Sequence, residues 1–479
     1  MQTWQWVVLA ILTGLVFWPA LTTPFVQDDY CFLERSLEPH RLPEGFTELR
    51  KLHSFRPLST DLTFTGLYLL FGRNAPAFHL VSLLLHLAVA GVLYAVLLRL
   101  GVSRGGGAIG AVLFLLHPMN LWTLTWSSCL QELTSTAAGY GCLLLGLKSV
   151  ESSASGKWTW IAAASLVAAL LCKESAVVYA VILAALLLGR RTDLRRSARA
   201  LLPSLVVTAV YLAYRLHLGG IPESGLYRMG VGGFVWTHVA DHAGWAGSVL
   251  LAPVWIALSF APGAAPATSL SSELPTFAPV AAPALAAVLV FGLLVRNPPT
   301  GGRLFAVGVF WWLASLLPVL FLSNHHYAYY GYASFGGLLL AARPLLERFA
   351  ARLDRHRWIA WVLVAFLLGG THAETRLFSR MHYLPNRARL VERIGQSLVR
   401  EVPRPPAKSV FYLAGLPENS SWFVGRERPT SSALRVFYRD PTLESRRAPL
   451  GVRPGPIPGR ATFVFEYAER RLHRVAVGE

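Results

Sequence analysis

Charged residues are scarce in this chain of 479 residues. They make up 15% of the sequence, whereas a soluble globular protein carries roughly 25%. Hydrophobic residues reach 54%, and the mean hydropathy is +0.45. The apolar residues fall in long blocks, several of which reach the roughly 20 residues that a helix needs to cross a bilayer. The composition excludes an ordinary soluble enzyme and predicts a polytopic α-helical membrane protein.

Cysteine and acidic residues are also few. The four cysteines, at positions 31, 129, 142 and 172, have no CxxC spacing, so nothing indicates a disulfide framework or a structural zinc site. Lys and Arg number 44 against 26 Asp and Glu, a net charge of +18. In a membrane protein, basic residues collect in cytoplasmic loops and near lipid headgroups, so we expect membrane lipids and no nucleic acid as partners. No nucleotide-binding glycine motif is present.

Hydropathy predicts about eleven transmembrane spans. The N-terminus lacks the features of a cleaved signal peptide, so we expect the first span to be retained. Loop charge then places the N-terminus in the cytoplasm and the C-terminus outside. A further apolar segment, residues 237–260, is predicted to be re-entrant or interfacial on the outer side. The eleven spans are residues 3–23, 76–100, 105–117, 130–147, 158–171, 175–188, 200–218, 279–295, 304–322, 327–345 and 358–371.

The composition changes near residue 372. Residues 373–479 contain 19 Lys and Arg, 10 Asp and Glu, and many prolines. Short β-like runs at 409–413, 433–438 and 461–467 predict a small soluble α/β domain. We therefore divide the chain into a membrane domain, residues 1–372 with a first outer loop at 24–60, and a C-terminal domain, residues 373–479, whose basic surface can rest on anionic lipid.

Asp28 and Asp29 follow the first span directly. Two adjacent carboxylates at a membrane edge can accept a proton from a hydroxyl or hold a divalent cation such as Mn²⁺ or Mg²⁺. The alternative is an ordinary solvated helix end. The apolar and aromatic neighbours of the pair favour a functional role, either as a proton acceptor or as a cation ligand.

Three further charged positions lie near predicted membrane boundaries. Arg56 precedes Pro57 and offers a planar guanidinium that suits phosphate oxygens, although the motif on its own favours a snorkelling arginine at the interface. Lys173 and Glu174 fall in a break between two spans, where charges are costly unless they are paired or used. The two can neutralise each other, or Lys173 can bind a lipid phosphate. Glu132, near the start of the fourth span, is a candidate buried carboxylate.

Histidine and tyrosine cluster before a late span. The segment contains His325, His326, Tyr327 and Tyr329. An aromatic belt explains the tyrosines without chemistry, and adjacent histidines point in different directions on a helix, which disfavours a shared metal. Contact with a phosphate or a sugar is the functional alternative. His117, at the end of the third span, fits either a structural or a functional role.

In order, these motifs resemble those of the GT-C class of membrane glycosyltransferases, and most closely its protein O-mannosyltransferase-like, TMTC-type branch. The landmarks are Asp28-Asp29, the Arg56-Pro57-Leu58-Ser59 motif, the Phe78 to Val81 motif with His86, the Leu115 to Pro118 motif, Lys173-Glu174 and the late tyrosines. The resemblance covers residues 1–345. The chain departs from that branch in having His325-His326 where Glu-Arg is usual, and it lacks tetratricopeptide repeats.

The resemblance implies a GT-C-type bundle of about eleven helices that moves a sugar from a polyprenyl-phosphate donor to an acceptor hydroxyl outside the cytoplasm. It implies that Asp28 and Asp29 are catalytic. Charge and sidedness add Arg56, Lys173 and His326 as groups that contact the donor phosphate. We expect a bacterial inner-membrane enzyme with a periplasmic site and a glycan, lipid or protein acceptor. The rival functions are a transporter or flippase of lipid-linked saccharides, and a non-catalytic scaffold of an envelope assembly system.

Overall fold

The computed structural model describes residues 1–49, 54–151, 155–219, 227–248, 302–417, 431–468 and 471–477. The predicted span at 279–295 lies outside these ranges, as does the second half, residues 249–260, of the predicted re-entrant segment 237–260. Nearly all of the described residues before position 402 lie in helices or short turns.

Eighteen α-helices occur in the described residues, and a π-helix, Pro57–Thr63, leads into the fourth. They are α1 (Thr3–Leu21), α2 (Asp28–Arg35), α3 (Glu44–Thr47), α4 (Phe64–Phe71), α5 (Ala75–Arg99), α6 (Arg104–Leu115), α7 (Leu121–Thr125), α8 (Leu130–Glu151), α9 (Ser155–Cys172), α10 (Val178–Gly189), α11 (Leu194–Gly219), α12 (Phe234–Gly247), α13 (Gly302–Leu320), α14 (Phe335–Ala341), α15 (Arg343–Arg355), α16 (Arg357–Met381), α17 (Tyr383–Glu401) and α18 (Ser432–Tyr438).

Four of the described helices, α1, α5, α11 and α13, are long and apolar enough to cross a membrane. A fifth span is possible if α6 and the bent segment after it, Pro118–Thr125, which turn by 46° relative to each other, are counted as one. Helices α9 and α10 are apolar but shorter. The predicted number of eleven spans is therefore not confirmed, because hydropathy does not distinguish a straight crossing from short or bent helices packed inside a bundle.

Large apolar side chains cover the outside of the long helices. Four apolar residues of α1 are more than half exposed, namely Trp4, Ile11, Leu15 and Trp18. Other exposed apolar residues lie on α11 and α16. Apolar surface of this extent marks a membrane-facing surface. The chain is thus a helical membrane protein whose polar groups lie inside the bundle or at its ends.

The predicted span at residues 327–345 is wrong as a single helix. A 3-10 turn at Ala328–Gly331 and the seven-residue α14 occupy most of it. Helices α13 and α14 approach so closely that a Cβ at Gly308 would lie 2.5 Å from the backbone nitrogen of Ala341. Their backbones are in contact, and this packing fixes the broken segment against α13.

A four-stranded sheet lies in the C-terminal part. Its order is β2 (Glu444–Ala448), β1 (Val410–Ala414), β3 (Thr462–Ala468), β4 (Arg471–Val475). Strand β1 pairs in parallel with β2 and β3, and β4 is antiparallel to β3. Strands β1 and β3 match the runs predicted at 409–413 and 461–467. Residues 433–438, predicted as a strand, instead form α18, since a short apolar run fits either element and the packing against α2 and α17 selects the helix.

One hydrophobic core runs from the long helices into this C-terminal part. It includes Phe17 of α1 and Phe64 of α4, and also Val391 of α17 and Phe411 of β1. The predicted domain boundary after residue 372 falls within α16. Independence of residues 373–479 as a domain stays a prediction.

Candidate active site

Asp28 and Asp29 form the first turn of α2, a short helix that follows α1 closely. Gln27, directly before them, has a φ of 52°, a left-handed conformation that is uncommon for a residue with a side chain. Helix α2 packs against α4, α18 and the turn before α8. Uncommon backbone conformations of this kind concentrate at functional sites. The start of α2 is therefore a candidate functional site.

Asp29 is an anchor within the fold. Its Oδ1 accepts hydrogen bonds from the backbone N–H and the hydroxyl of Ser128, both at 2.6 Å, and its Oδ2 accepts one from the N–H of Val26 at 2.9 Å. Its residue is 1% exposed. Burial raises the pKa of Asp29 to about 7, against these hydrogen bonds, which lower it. The side chain joins α2 to the turn before α8.

Asp28, by contrast, faces a cleft. Burial raises the pKa of this carboxyl to about 6, while Arg56 and Arg35 lower it. A carboxyl group with a pKa near neutrality can take a proton from a hydroxyl at physiological pH. The cleft is lined by Asp28, Phe32, Ser54, Arg56, Trp126, Ser128, Cys129, Gln131, Tyr227 and Tyr329.

Arg56 supplies the positive charge of this cleft. Its Nε donates to Glu174 at 2.6 Å and its Nη1 donates to Gln131 at 2.6 Å. Glu174 also accepts the backbone N–H of Phe55 at 2.7 Å. Burial opposes the charge of the guanidinium, but Glu174 outweighs it, so the pKa of Arg56 is raised. Glu174 and Gln131 therefore hold a permanent cation beside Asp28.

Lys173 lies elsewhere, in a second small cavity. Its Nζ donates to the carboxylate of Glu132, and both side chains are buried. The same nitrogen lies 4.6 Å from the ring centroid of Tyr330. Glu132, Lys173 and Tyr330 line the second cavity, whereas Tyr329 lines the first. The predicted contact between Lys173 and a phosphate stays a prediction, and any such phosphate would share the lysine with Glu132.

His325 is held by tyrosines. Its Nδ1 is hydrogen-bonded to the hydroxyl of Tyr330 at 2.5 Å, and its ring stacks on Tyr227 at 4.8 Å. Burial, with Arg56 and Lys173 next, lowers the pKa of His325 to about 3. The lowered pKa favours the neutral imidazole.

His326 belongs to a separate ring cluster. Its ring stacks on His238 at 3.8 Å and on Trp245 at 4.8 Å, and its Nε2 lies 3.2 Å from Asp241 Oδ2. The residue does not contribute to the lining of the cleft that holds Asp28. Its predicted contact with the donor phosphate stays a prediction.

The remaining candidates divide between structure and site. His117 accepts the N–H of Met119 at 3.2 Å through Nδ1, and its Nε2 lies 3.1 Å from the carbonyl oxygen of Ala246. Both ring nitrogens are engaged, which favours a structural role. Tyr327 packs between Trp122 and Tyr329, with ring centroids at 5.5 and 5.6 Å. Tyr329 alone of these lines the cleft.

Sequence reasoning missed several residues of the cleft. Gln131 reaches it from the start of α8, Ser128 and Trp126 come from the turn before α8, and Tyr227 comes from the segment before α12. Polar residues at the start of an apolar helix gave a usable signal for Gln131. Nothing in the sequence pointed to Tyr227, because its role arises from packing beside Arg56.

The residues do not form a metal site on their own. Both carboxylate oxygens of Asp29 accept hydrogen bonds from N–H or O–H donors, and no three His, Cys, Asp or Glu side chains converge anywhere in the described ranges. A divalent cation is usually held by several oxygen ligands.

Comparisons with known proteins find weak similarity to three solved structures. No family model and no curated protein matches the sequence. ArnT from Cupriavidus metallidurans, bound to undecaprenyl phosphate, is similar with a TM-score of 0.48, 19% identity and coverage of 93% of this chain and 86% of that one. The mycobacterial arabinofuranosyltransferase AftD is similar with a TM-score of 0.49 and 16% identity. This match covers 93% of this chain and 32% of that one.

The oligosaccharyltransferase AglB from Archaeoglobus fulgidus, in complex with an inhibitory peptide and a dolichol-phosphate, gives a TM-score of 0.49 and 11% identity, covering 92% of this chain and 64% of that one. All three TM-scores lie below 0.5. The likeness assigns neither a family nor an activity to this chain. The protein O-mannosyltransferase-like branch stays a prediction.

Proposed function

We propose that the chain is a GT-C-type membrane glycosyltransferase that moves a sugar from a polyprenyl-phosphate carrier to an acceptor hydroxyl. The observation that carries this proposal is that Asp28 and Arg56 line the same cleft, where the arginine acts electrostatically on the carboxyl. Sugar transfer from a lipid phosphate needs a base for the acceptor and a cation for the departing phosphate. The cleft provides one of each.

Asp28 is the general base of the proposed reaction. Its carboxylate removes the proton of the acceptor hydroxyl as that oxygen attacks the anomeric carbon. The bond between this carbon and the phosphate oxygen breaks, and the phosphate leaves with the electron pair. General base catalysis of this kind contributes about 10²–10⁴-fold to the rate. Attack opposite the leaving group inverts the anomeric configuration, in keeping with the sequence resemblance.

Arg56 stabilises the departing phosphate in the same proposal. A guanidinium held in place before the reaction stabilises developing negative charge without reorganising. The bonds to Glu174 and Gln131 fix its orientation and use only part of its five N–H donors. Glu174 is therefore assigned to positioning, and it does not touch the substrate.

Aromatic rings form the rest of the proposed sugar site. Trp126 and Tyr329 meet edge to face with ring centroids 5.8 Å apart, and both line the cleft with Tyr227. Pockets for small molecules combine apolar and aromatic walls with a few polar groups that fix orientation. This composition suits a sugar ring held between a carboxylate and a guanidinium.

The location of the reaction is part of the proposal. Loop charge predicts that the end of α1 next to Asp28 faces away from the cytoplasm. Lipid-linked sugars are suitable donors on that side, because nucleotide sugars are confined to the cytoplasm. We assign the protein to a bacterial inner membrane, with a glycan, lipid or protein as acceptor.

The test uses the purified protein in lipid nanodiscs with a panel of polyprenyl-phosphate sugars. Release of free polyprenyl phosphate is followed with Mn²⁺, with Mg²⁺ and with EDTA. We expect release from one donor, with water as acceptor if no other is supplied, and loss of release in Asp28→Asn. Asp193→Asn, at an exposed helix start, is the matched control. Equal release by Asp28→Asn would overturn the assignment of the base, and absence of donor binding would favour the scaffold function.

A further inference from the structure

Helix α18 lies against α2, the helix that carries Asp28. The carboxylate of Glu34, near the end of α2, accepts hydrogen bonds from the guanidinium of Arg435 and the hydroxyl of Ser432. Arg435 also donates through Nε to the carbonyl oxygen of Leu443 at 2.8 Å. The arginine thus joins α2 to the chain that enters β2.

Aromatic contacts reinforce this junction. The rings of Tyr30 and Phe437 stack with centroids 6.1 Å apart and an interplanar angle of 20°. The guanidinium of Arg73 lies 3.6 Å from the centroid of Phe437 and pairs with Glu392 of α17 at 3.5 Å. A Cβ at Gly395 would lie 2.1 Å from the Phe437 ring. Helix α18 is therefore wedged tightly between α17 and α2.

Helix α2 has only eight residues, so Asp28 and Glu34 are separated by about 9 Å along its axis. Eight residues make little more than two helical turns, so the two ends are closely joined by backbone hydrogen bonds. Asp29 fixes its first turn to Ser128, and Glu34 fixes its last turn to α18. A change in tilt at Glu34 is transmitted to Asp28 at the other end.

We propose that Arg435 is a positioning residue that holds α2, through Glu34, in the orientation that directs Asp28 into the cleft. The inference rests on the proposed function, since it assigns a task to residues outside the cleft. The C-terminal segment then serves catalysis by holding the base, and it makes no contact with the reacting atoms.

Charge reversal tests this assignment by kinetics. A displacement of about 1 Å at a reacting group costs on the order of 10²-fold in rate. We expect Arg435→Glu to lower kcat by roughly tenfold to a hundredfold with little change in KM, because the donor site itself stays intact. Arg435→Lys is expected to keep most of the activity. The double variant Glu34→Arg/Arg435→Glu restores the ion pair in reverse and is expected to recover most of the lost kcat.

Arg400→Glu is the matched control, because it makes the same charge change at an exposed position of α17. It is expected to leave kcat unchanged. Wild-type kcat in Arg435→Glu, or a double variant no better than the single variants, would overturn the proposal.

A second measurement does not depend on activity. Cys31 of α2 is partly exposed, and its Sγ lies 3.7 Å from the Ser432 hydroxyl of α18. We expect a thiol-alkylating reagent to modify Cys31 faster in Arg435→Glu than in the wild type, and at the wild-type rate in the double variant. If the wild type releases no carrier phosphate from any donor, the proposed function fails. Alkylation of Cys31 then still decides whether Arg435 anchors α2, and an unchanged rate would refute that anchoring.

Discussion

Lys173 and Glu174 are neighbours in the chain but form ion pairs with different partners. Lys173 bonds to the buried Glu132 of α8, and Glu174 receives the Arg56 guanidinium at 2.6 Å. The two residues therefore do not neutralise each other, which was one of the two alternatives that the sequence allowed. The pairs tie the break between α9 and α10 to α8 on one side and to the cleft on the other.

The first prediction concerns the pH dependence of Asp28. The carboxyl must be ionised to accept a proton, and its pKa is raised to about 6. The rate of sugar transfer should therefore fall as the pH drops below about 6 and level off above it. The measurement is kcat/KM for donor turnover across this range. A rate that does not change between about pH 5 and pH 7 would contradict the role of Asp28 as the base.

The second prediction separates Asp29 from Asp28. In the wild type, the Asp29 carboxylate accepts hydrogen bonds from the N–H groups of Val26 and Ser128. In Asp29→Asn, the side-chain amide nitrogen is itself a donor and must face one of these two N–H groups. A buried donor left without an acceptor costs about 1–3 kcal/mol. We expect the Tm of Asp29→Asn in nanodiscs to lie below that of the wild type, and the Tm of Asp28→Asn to stay close to the wild-type value. Equal Tm values for the two variants would show that Asp29 is not an anchor.

The third prediction addresses the buried pair of Lys173 and Glu132. Removal of one partner leaves the other charge buried and unpaired, which costs about 3–5 kcal/mol. We expect Lys173→Met to lower the thermal stability and the yield of folded protein. The double variant Lys173→Met/Glu132→Gln should recover most of both. Failure of the second substitution to rescue the first would assign to Lys173 a role beyond pairing.

The fourth prediction compares arginine with lysine at position 56. Lysine carries the same charge but lacks the planar fork that binds Glu174 and Gln131 together. Arg56→Lys should reduce kcat/KM for the polyprenyl-phosphate sugar by roughly tenfold or more, because the phosphate loses an oriented N–H group. Arg41→Lys, at an exposed ion pair with Glu44, serves as the control. Unchanged turnover in Arg56→Lys would mean that charge alone is sufficient.

Much of the helical structure could be predicted, because long apolar runs have few other stable forms in a membrane. Spans placed at 3–23, 76–100, 200–218 and 304–322 correspond to α1, α5, α11 and α13. Breaks within apolar sequence could not be predicted. The segment 327–345 is mostly apolar and aromatic, with glycines at 331, 336 and 337. In the structure it is divided into a turn and a short helix that packs on α13. Residues 433–438 became helical for a similar reason, since α2 and α17 enclose them.

The sequence by itself determined the membrane environment, the position of the acidic pair after the first span and the set of charged residues that needed explanation. Composition and hydropathy are local properties, so they can be read from the sequence without knowledge of the fold. Only the tertiary structure decided the partners of these residues. Asp28 faces the cleft whereas Asp29 is bound to Ser128, and Glu34 meets an arginine 401 positions away. Long-range contacts of this kind depend on packing between helices, which cannot be predicted from the local sequence of either partner.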